Sequence, residues 1–133
     1  MTSKVIYLGD LRTSSVHLQS GTEIVSDAPL DNNGKGEAFS PTDSVANALA
    51  TCMMTVMGIK ARDMSVDFKG STAVVTKIMN SAPRRIGAIV IVFEMQGVVD
   101  EKNRVILERT AMTCPVFLSL STEVEKRITF NWK

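Results

Sequence analysis

The sequence predicts an α+β fold with mostly antiparallel strand pairing. Two observations predict it. A long helical stretch with almost no charge lies in mid-chain, at residues 40–59, SPTDSVANALATCMMTVMGI. Three short strand-like runs precede it, and two long ones follow, before a broken helical stretch and a last strand.

Residues 5–8 read as a strand, ended by a turn at Gly9-Asp10. Val16 and Leu18 alternate with Ser15, His17 and Gln19 as a second strand, and after a turn at Ser20-Gly21 residues 23–26 make a third. These suggest an antiparallel meander. Residues 29–39, PLDNNGKGEAF, form a loop marked by Asn33-Gly34 and Gly36.

The central helix opens with start chemistry. Ser40 suits the N-cap, Pro41 the first helical position, and Asp43 the third, where its carboxylate reaches back to the cap. No further charge occurs until Lys60. Val45, Leu49, Cys52, Val56 and Ile59 recur at helical spacing, and Ala46, Ala50, Met53 and Met57 fill a second face. A helix apolar around most of its circumference must be buried. It is too short and too rich in Ser, Thr and Asn to span a membrane. Gly58 lies near its end, where Lys60 and Arg62 complement the helix dipole.

Residues 66–79 are a long β-rich run, turned at Ser81-Ala82-Pro83. In the next run, 85–95, Ile86, Ala88, Val90 and Val92 share one face and Ile89, Ile91 and Phe93 the other, so this strand is expected to be covered on both sides. Residues 100–112 read as a second helix with Asp100 as its cap. Thr113-Cys114-Pro115 interrupts it, 116–124 form a third helix, and 127–132 alternate as a last strand.

A chain of 133 residues suits one domain, 1–133, with a real core. Net charge is +1 without a basic stripe, which argues against nucleic acid as a partner. The start, MTSKVIYLGD, lacks the apolar stretch of a signal peptide, so a cytoplasmic location is expected. In a reducing compartment two cysteines suggest redox or catalytic use more than a static disulfide. One His and two Cys cannot close a four-ligand zinc site without borrowed carboxylates, so no metal is expected. A charge-free helix in so small a chain points to burial against a partner subunit, hence a dimer.

Cys52, in mid-helix, reads either as a buried small hydrophobe or as a nucleophile. Cys114 precedes Pro115, which disfavours helical geometry at Cys114 and makes it a candidate N-cap, where its thiolate would be favoured. The alternative is a simple chain break at Pro115. The two sulfurs could meet if their helices pack together, but spacing cannot show it. A thiolate needs a cation. Arg12, Arg84 and Arg85 are the candidates, each competing with a reading as a solvated surface charge. His17 reads as a strand surface residue, and Met53, Met54 and Met57 as core filler.

Together these residues resemble the OsmC/Ohr family, the osmotically inducible and organic hydroperoxide resistance proteins. The carrying segments are SPTDSVANALATCM at 40–53, PRRI at 83–86 and LERTAMTCPVFLSL at 107–120. Their order and spacing fit along essentially the whole chain. The resemblance implies an OsmC-like intertwined homodimer, with antiparallel sheets wrapped around long central helices and sites where subunits meet. It implies a peroxidase in which Cys52 attacks an organic hydroperoxide and becomes a sulfenic acid, and Cys114 resolves it as a disulfide. Arg12 is the best match for the arginine that stabilises the thiolate. No cofactor is implied. The implied electron donor is a dithiol, with a lipoylated protein as the expected source. Asp43 joins Cys52, Cys114 and Arg12 among the implied site residues.

One departure qualifies this. Family peroxidases carry Glu directly after the helix-start Pro, where it orients the arginine; here that place is Thr42, with Asp43 one residue on. One residue is about 100° around a helix, so Asp43 is expected to cap the helix instead of holding Arg12. This suggests an OsmC-like branch, and its alternative reading is a non-catalytic dimeric binding or redox-sensing protein. A tension also stands. Helix-terminus chemistry favours Cys114 as the more acidic thiol, whereas the resemblance assigns attack to Cys52.

Overall fold

In the computed structural model, which describes residues 1–133, the chain divides into two units, Met1–Val45 and Ala46–Lys133. In the first, strands β1 (Ser3–Gly9), β2 (Arg12–His17) and β3 (Glu23–Asp27) pair antiparallel in that order. This is the expected meander, but β2 starts three residues earlier than its alternation suggested. Gly9, Asp10 and Leu11 all adopt positive φ, at 82°, 53° and 63°. The reversal is therefore complete by Arg12, which pairs with Gly9 as the first residue of β2. Leu18 falls outside the strand. Apolar side chains stand on both sides of this short sheet, and Val5, Tyr7 and Ile24 stay about 60% exposed (59%, 65% and 65%).

The loop after β3 contains a short 3₁₀ turn, Leu30–Asn32. Its glycines are needed. A Cβ on Gly34 would lie 1.7 Å from the Ala28 carbonyl oxygen, and Gly36 has φ +64°. Helix α1 then runs over Pro41–Asp63, past the predicted end, because Ala61 is buried and Gly58 does not break it.

In the second unit, β4 (Thr72–Ser81) and β5 (Arg84–Met95) form an antiparallel hairpin, with β6 (Glu125–Trp132) beside β5. Residues 66–71, expected to begin β4, form a turn instead. Asp67 Oδ1 accepts from Lys69 N at 2.8 Å, and Gly70 has φ 91°. Local Asp and Gly chemistry overrides β propensity there. A bulge opposite Ile78-Met79 leaves Gly87 outside the ladder and interrupts the Ile86–Val92 alternation. β6 runs parallel to β5. A parallel neighbour needs a crossover, and α2 (Glu101–Ala111) and α3 (Pro115–Ser119) supply it. Asp100 caps α2 as expected, accepting from Asn103 N at 2.8 Å. α3 is shorter than predicted, because the chain is already extended at Leu120, ψ 145°.

The core of this unit lies between α1 and the sheet. Leu49, Met53 and Met57 meet Ile89, Ile91, Phe93 and Met95, with Leu107 and Ala111 of α2 closing one side. Phe93 and Phe130, directly paired on β5 and β6, stack with centroids 4.9 Å apart. The opposite face of β5 is only half-buried. α1 is likewise not buried all round in this chain. Val45 and Ile59 stay 38% and 60% exposed.

Candidate active site

The core brings the two cysteines together. Cys52 is half-buried in the middle of α1, and Cys114 is fully buried as the N-cap of α3. Both are free thiols. Cys114 belongs to the core cluster and Cys52 packs against that cluster, near enough to affect the Cys114 thiol. Pro115 turns the chain so that Cys114 has extended geometry, φ −64° and ψ 145°, and its sulfur accepts from Phe117 N at 3.2 Å.

That N–H contact would favour a thiolate, as the sequence suggested. Burial wins over it. Removing water from Cys114 pushes its thiol pKa up, the neighbouring Cys52 adds to the rise, and the Phe117 and Val116 N–H groups offset only part. Burial therefore outweighs these N–H contacts, and the Cys114 thiolate expected from its place at a helix start is not favoured.

Arg12 belongs to a charged cluster in the first unit. Its Nη2 donates to Glu37 Oε2 at 2.8 Å and to Asp27 Oδ2 at 3.2 Å. Asp27 Oδ2 also accepts from Glu37 N at 3.0 Å. These bonds reinforce the charges. The Glu37 N–H and then the Arg12 guanidinium hold Asp27 below the usual carboxylate range, and the Glu37 and Asp27 carboxylates raise Arg12 further. Asp27 and Glu37 were not singled out from the sequence. The available signal was the direct pairing of Arg12 with Asp27 across β2 and β3, an opposite-charge cross-strand pair. It was hidden because the alternation placed the strand start after Arg12.

Asp43 completes a reciprocal cap. Ser40 N donates to Asp43 Oδ2 and Asp43 N donates to Ser40 Oγ, both at 3.0 Å. Arg85 donates to Glu123 Oε2 at 2.8 Å, and Arg84 is exposed at the start of β5. His17 Nδ1 sits 2.6 Å from Ser20 Oγ in the exposed β2–β3 turn. No three His, Cys, Asp or Glu side chains gather as a metal site. An open cavity of about 360 Å³ near the end of α1, lined by Gly58, Arg62, Phe68 and Lys69, contains neither cysteine.

Known proteins agree with this architecture. A 51% identical protein of known structure is a candidate osmotic stress induced and detoxification response protein from Psychrobacter arcticus. The match covers 98% of this chain and 96% of that one, with TM-score 0.95. An OsmC like protein from Mycoplasma pneumoniae shares the fold at 14% identity, TM-score 0.81, over 98% and 94% of the two chains. An organic hydroperoxide resistance protein OsmC from Legionella pneumophila does so at 12% identity, TM-score 0.76, over 98% and 97%. No curated protein matches the chain. The family model for OsmC-like protein matches residues 34–129, a span that holds the helix-start motif and both cysteines, and the chain belongs to that family.

Proposed function

We propose that this protein is a thiol-dependent peroxidase that reduces organic hydroperoxides through Cys52 and Cys114. The observation that carries the reading is the meeting of two free thiols, one half-buried and one fully buried, in one core cluster. The Cys52 thiolate attacks the terminal peroxide oxygen. The O–O bond breaks, the alcohol leaves with a proton, and Cys52 becomes a sulfenic acid. Cys114 sulfur then attacks Cys52 sulfur, the disulfide forms, and the hydroxyl leaves as water with the Cys114 proton. A neutral Cys114 thiol fits this order, since it does not compete for peroxide and carries the proton the second step needs. An external dithiol, a lipoylated protein in our reading, restores both thiols by exchange and is itself oxidised to a disulfide.

Arg12 is the cation we assign to the Cys52 site, following the family pattern. We take residues 1–133 as one OsmC-like domain acting in the cytoplasm as a homodimer. The exposed apolar faces of the β1–β3 sheet and of α1 at Val45 and Ile59 support the dimer. The hydroperoxide resistance description of the Legionella neighbour supports the chemistry at the level of fold. Thr42, where family peroxidases carry Glu, favours the second reading, a non-catalytic dimeric binding or redox-sensing protein. Thiol titration before and after one equivalent of an alkyl hydroperoxide decides between them. Loss of both thiols to an intramolecular disulfide, repeated on each addition of dithiol and peroxide, is expected. Retention of both thiols would overturn the peroxidase.

A further inference from the structure

Cys114 has two tasks in the reduced protein. Its sulfur is one of the two paired thiols, and it is also the N-cap of α3, accepting from Phe117 N at 3.2 Å. The first N–H groups of a helix have no partner within the helix, and a capping atom supplies one. Pro115, at the first position, has no N–H. The cap of α3 is therefore an atom that the proposed cycle oxidises.

Little else holds α3. It is five residues long, Pro115–Ser119, and none of them is fully buried. Leu118 is 70% exposed. At the far end Lys126 Nζ donates to Ser121 O at 3.0 Å and lies 5.3 Å from the Phe117 ring centroid. A helix this short is marginal without such contacts. Helix α1 is the opposite case. It has 23 residues, and Leu49, Met53 and Met57 around Cys52 are 0% exposed.

The two cysteines are free thiols. A disulfide draws its sulfurs to about 2.05 Å, well inside any non-bonded contact, and turns the Cβ–S–S–Cβ dihedral to about 90°. One side has to yield. Core packing anchors Cys52, whereas a short and largely exposed helix anchors Cys114. The displacement therefore falls on Cys114, and its sulfur leaves the capping position.

We propose that formation of the Cys52–Cys114 disulfide releases α3, which makes this helix a redox-sensitive latch. Reduction to two thiols restores the cap and closes it. The oxidised protein then differs from the reduced one beside the disulfide that an external dithiol has to reach. The inference rests on the disulfide step of the proposed cycle, and the test separates the two.

The measurement is amide hydrogen exchange on nitrogen-15 labelled protein. The thiol form is compared with protein treated with one equivalent of an alkyl hydroperoxide, and with protein treated with diamide. Diamide is an azo compound that takes up the two thiol hydrogens and leaves the disulfide. The reporters are Phe117 N, which donates to the Cys114 sulfur, and Leu118 N and Leu120 N, which donate to Cys114 O and Val116 O. All three are expected to exchange at least about fivefold faster in the disulfide form, the effect of losing one N-cap. Amides of α1 around Cys52 are expected to keep their rates. Cys114→Ala is expected to show the same rise without oxidant. Cys114→Ser, with a hydroxyl cap, is expected to keep parent rates before and after peroxide. Unchanged α3 amides in the diamide-formed disulfide overturn the inference, and so does a rise at Phe117 alone or in α1. Release of α3 by diamide but not by the hydroperoxide supports the latch and overturns the peroxidase. Failure of diamide to join the two cysteines overturns both. Parent rates in Cys114→Ala overturn the inference; if that variant does not fold, the two forms of the parent protein decide.

Discussion

Cys114 and Asp27 are both fully buried acids, yet the first is pushed toward its neutral form and the second toward its charged form. The difference lies in the donors each one meets. Cys114 sits among apolar core side chains beside another thiol, with N–H groups of the first turn of α3 as its main compensation. Asp27 meets a guanidinium and a backbone N–H on a single oxygen. Loss of water penalises charge in both places, and only the second region has donors enough to reverse it. Burial thus acts in opposite directions on the two acids, according to the donors each region supplies.

The thiol pair gives the largest expected effects. Cys52→Ser should lose essentially all peroxide consumption, at least about 10³-fold, because serine is not deprotonated at neutral pH and lacks a thiolate's nucleophilicity. Cys114→Ser should consume one equivalent of peroxide and stall with Cys52 oxidised. Stoichiometry against an alkyl hydroperoxide, with and without excess dithiol, measures both. Sustained turnover by Cys114→Ser would remove Cys114 as the resolving thiol, and activity in Cys52→Ser would reverse the assignment.

Next come the two sheets, which bury apolar side chains unequally. Leu49→Ala, beneath β5, should cost about 2–5 kcal/mol in denaturant unfolding. Ile24→Ser, on the exposed β1–β3 sheet, should change protomer stability by no more than about 0.5 kcal/mol. It should, however, weaken the dimer, which sedimentation across a concentration series would show. A parent protein that stays at 14.5 kDa at micromolar concentration would remove the dimer altogether.

The opposite ionisation of the two buried acids should also appear in the pH dependence of stability. The folded-state pKa of Asp27 is depressed, so its contribution is complete above the ordinary aspartate value of about 3.9 and is lost as pH falls below it. The folded-state pKa of Cys114 is raised, so its contribution holds below the ordinary thiol value of about 8.5 and is lost as pH rises past it. Asp27→Asn should flatten the acid limb only, and Cys114→Ser the alkaline limb only. Unfolding free energies at pH 3, 7 and 9.5 test this, and a change in the wrong limb would break the comparison.

The same contrast explains what could be read in advance. The central helix, its cap, the long hairpin and the interruption at Cys114 were legible, because period and capping chemistry are local signals. The parallel pairing of β6 was not, since strand direction is set by the crossover through α2 and α3. Nor was the early start of β2, which depends on three consecutive positive φ values at Gly9, Asp10 and Leu11. The cysteines were legible as candidates, but burial of Cys114 is a tertiary fact, and it reversed the expectation drawn from its place at a helix start. Asp27 and Glu37 stayed hidden because their meaning is a meeting on one nitrogen of Arg12, brought about by the fold of a loop.

A further expected effect concerns the carboxylate at the start of α1. Asp43 Oδ2 accepts from Ser40 N, while Ser40 Oγ accepts from Asp43 N, so each side chain satisfies an N–H at the start of α1. Losing either partner should cost about 1 kcal/mol, within the 0.5–2 kcal/mol found for N-caps. Ser40 is 1% exposed, so its backbone N–H has no easy water replacement once the carboxylate is gone. The two bonds join the same pair of residues, so Ser40→Ala with Asp43→Ala together should cost less than the sum of the singles. Urea unfolding of the two single variants and the double measures this. Strict additivity would mean that the two bonds act independently, since Ser40→Ala leaves the residue 40 N–H bound to Asp43 Oδ2.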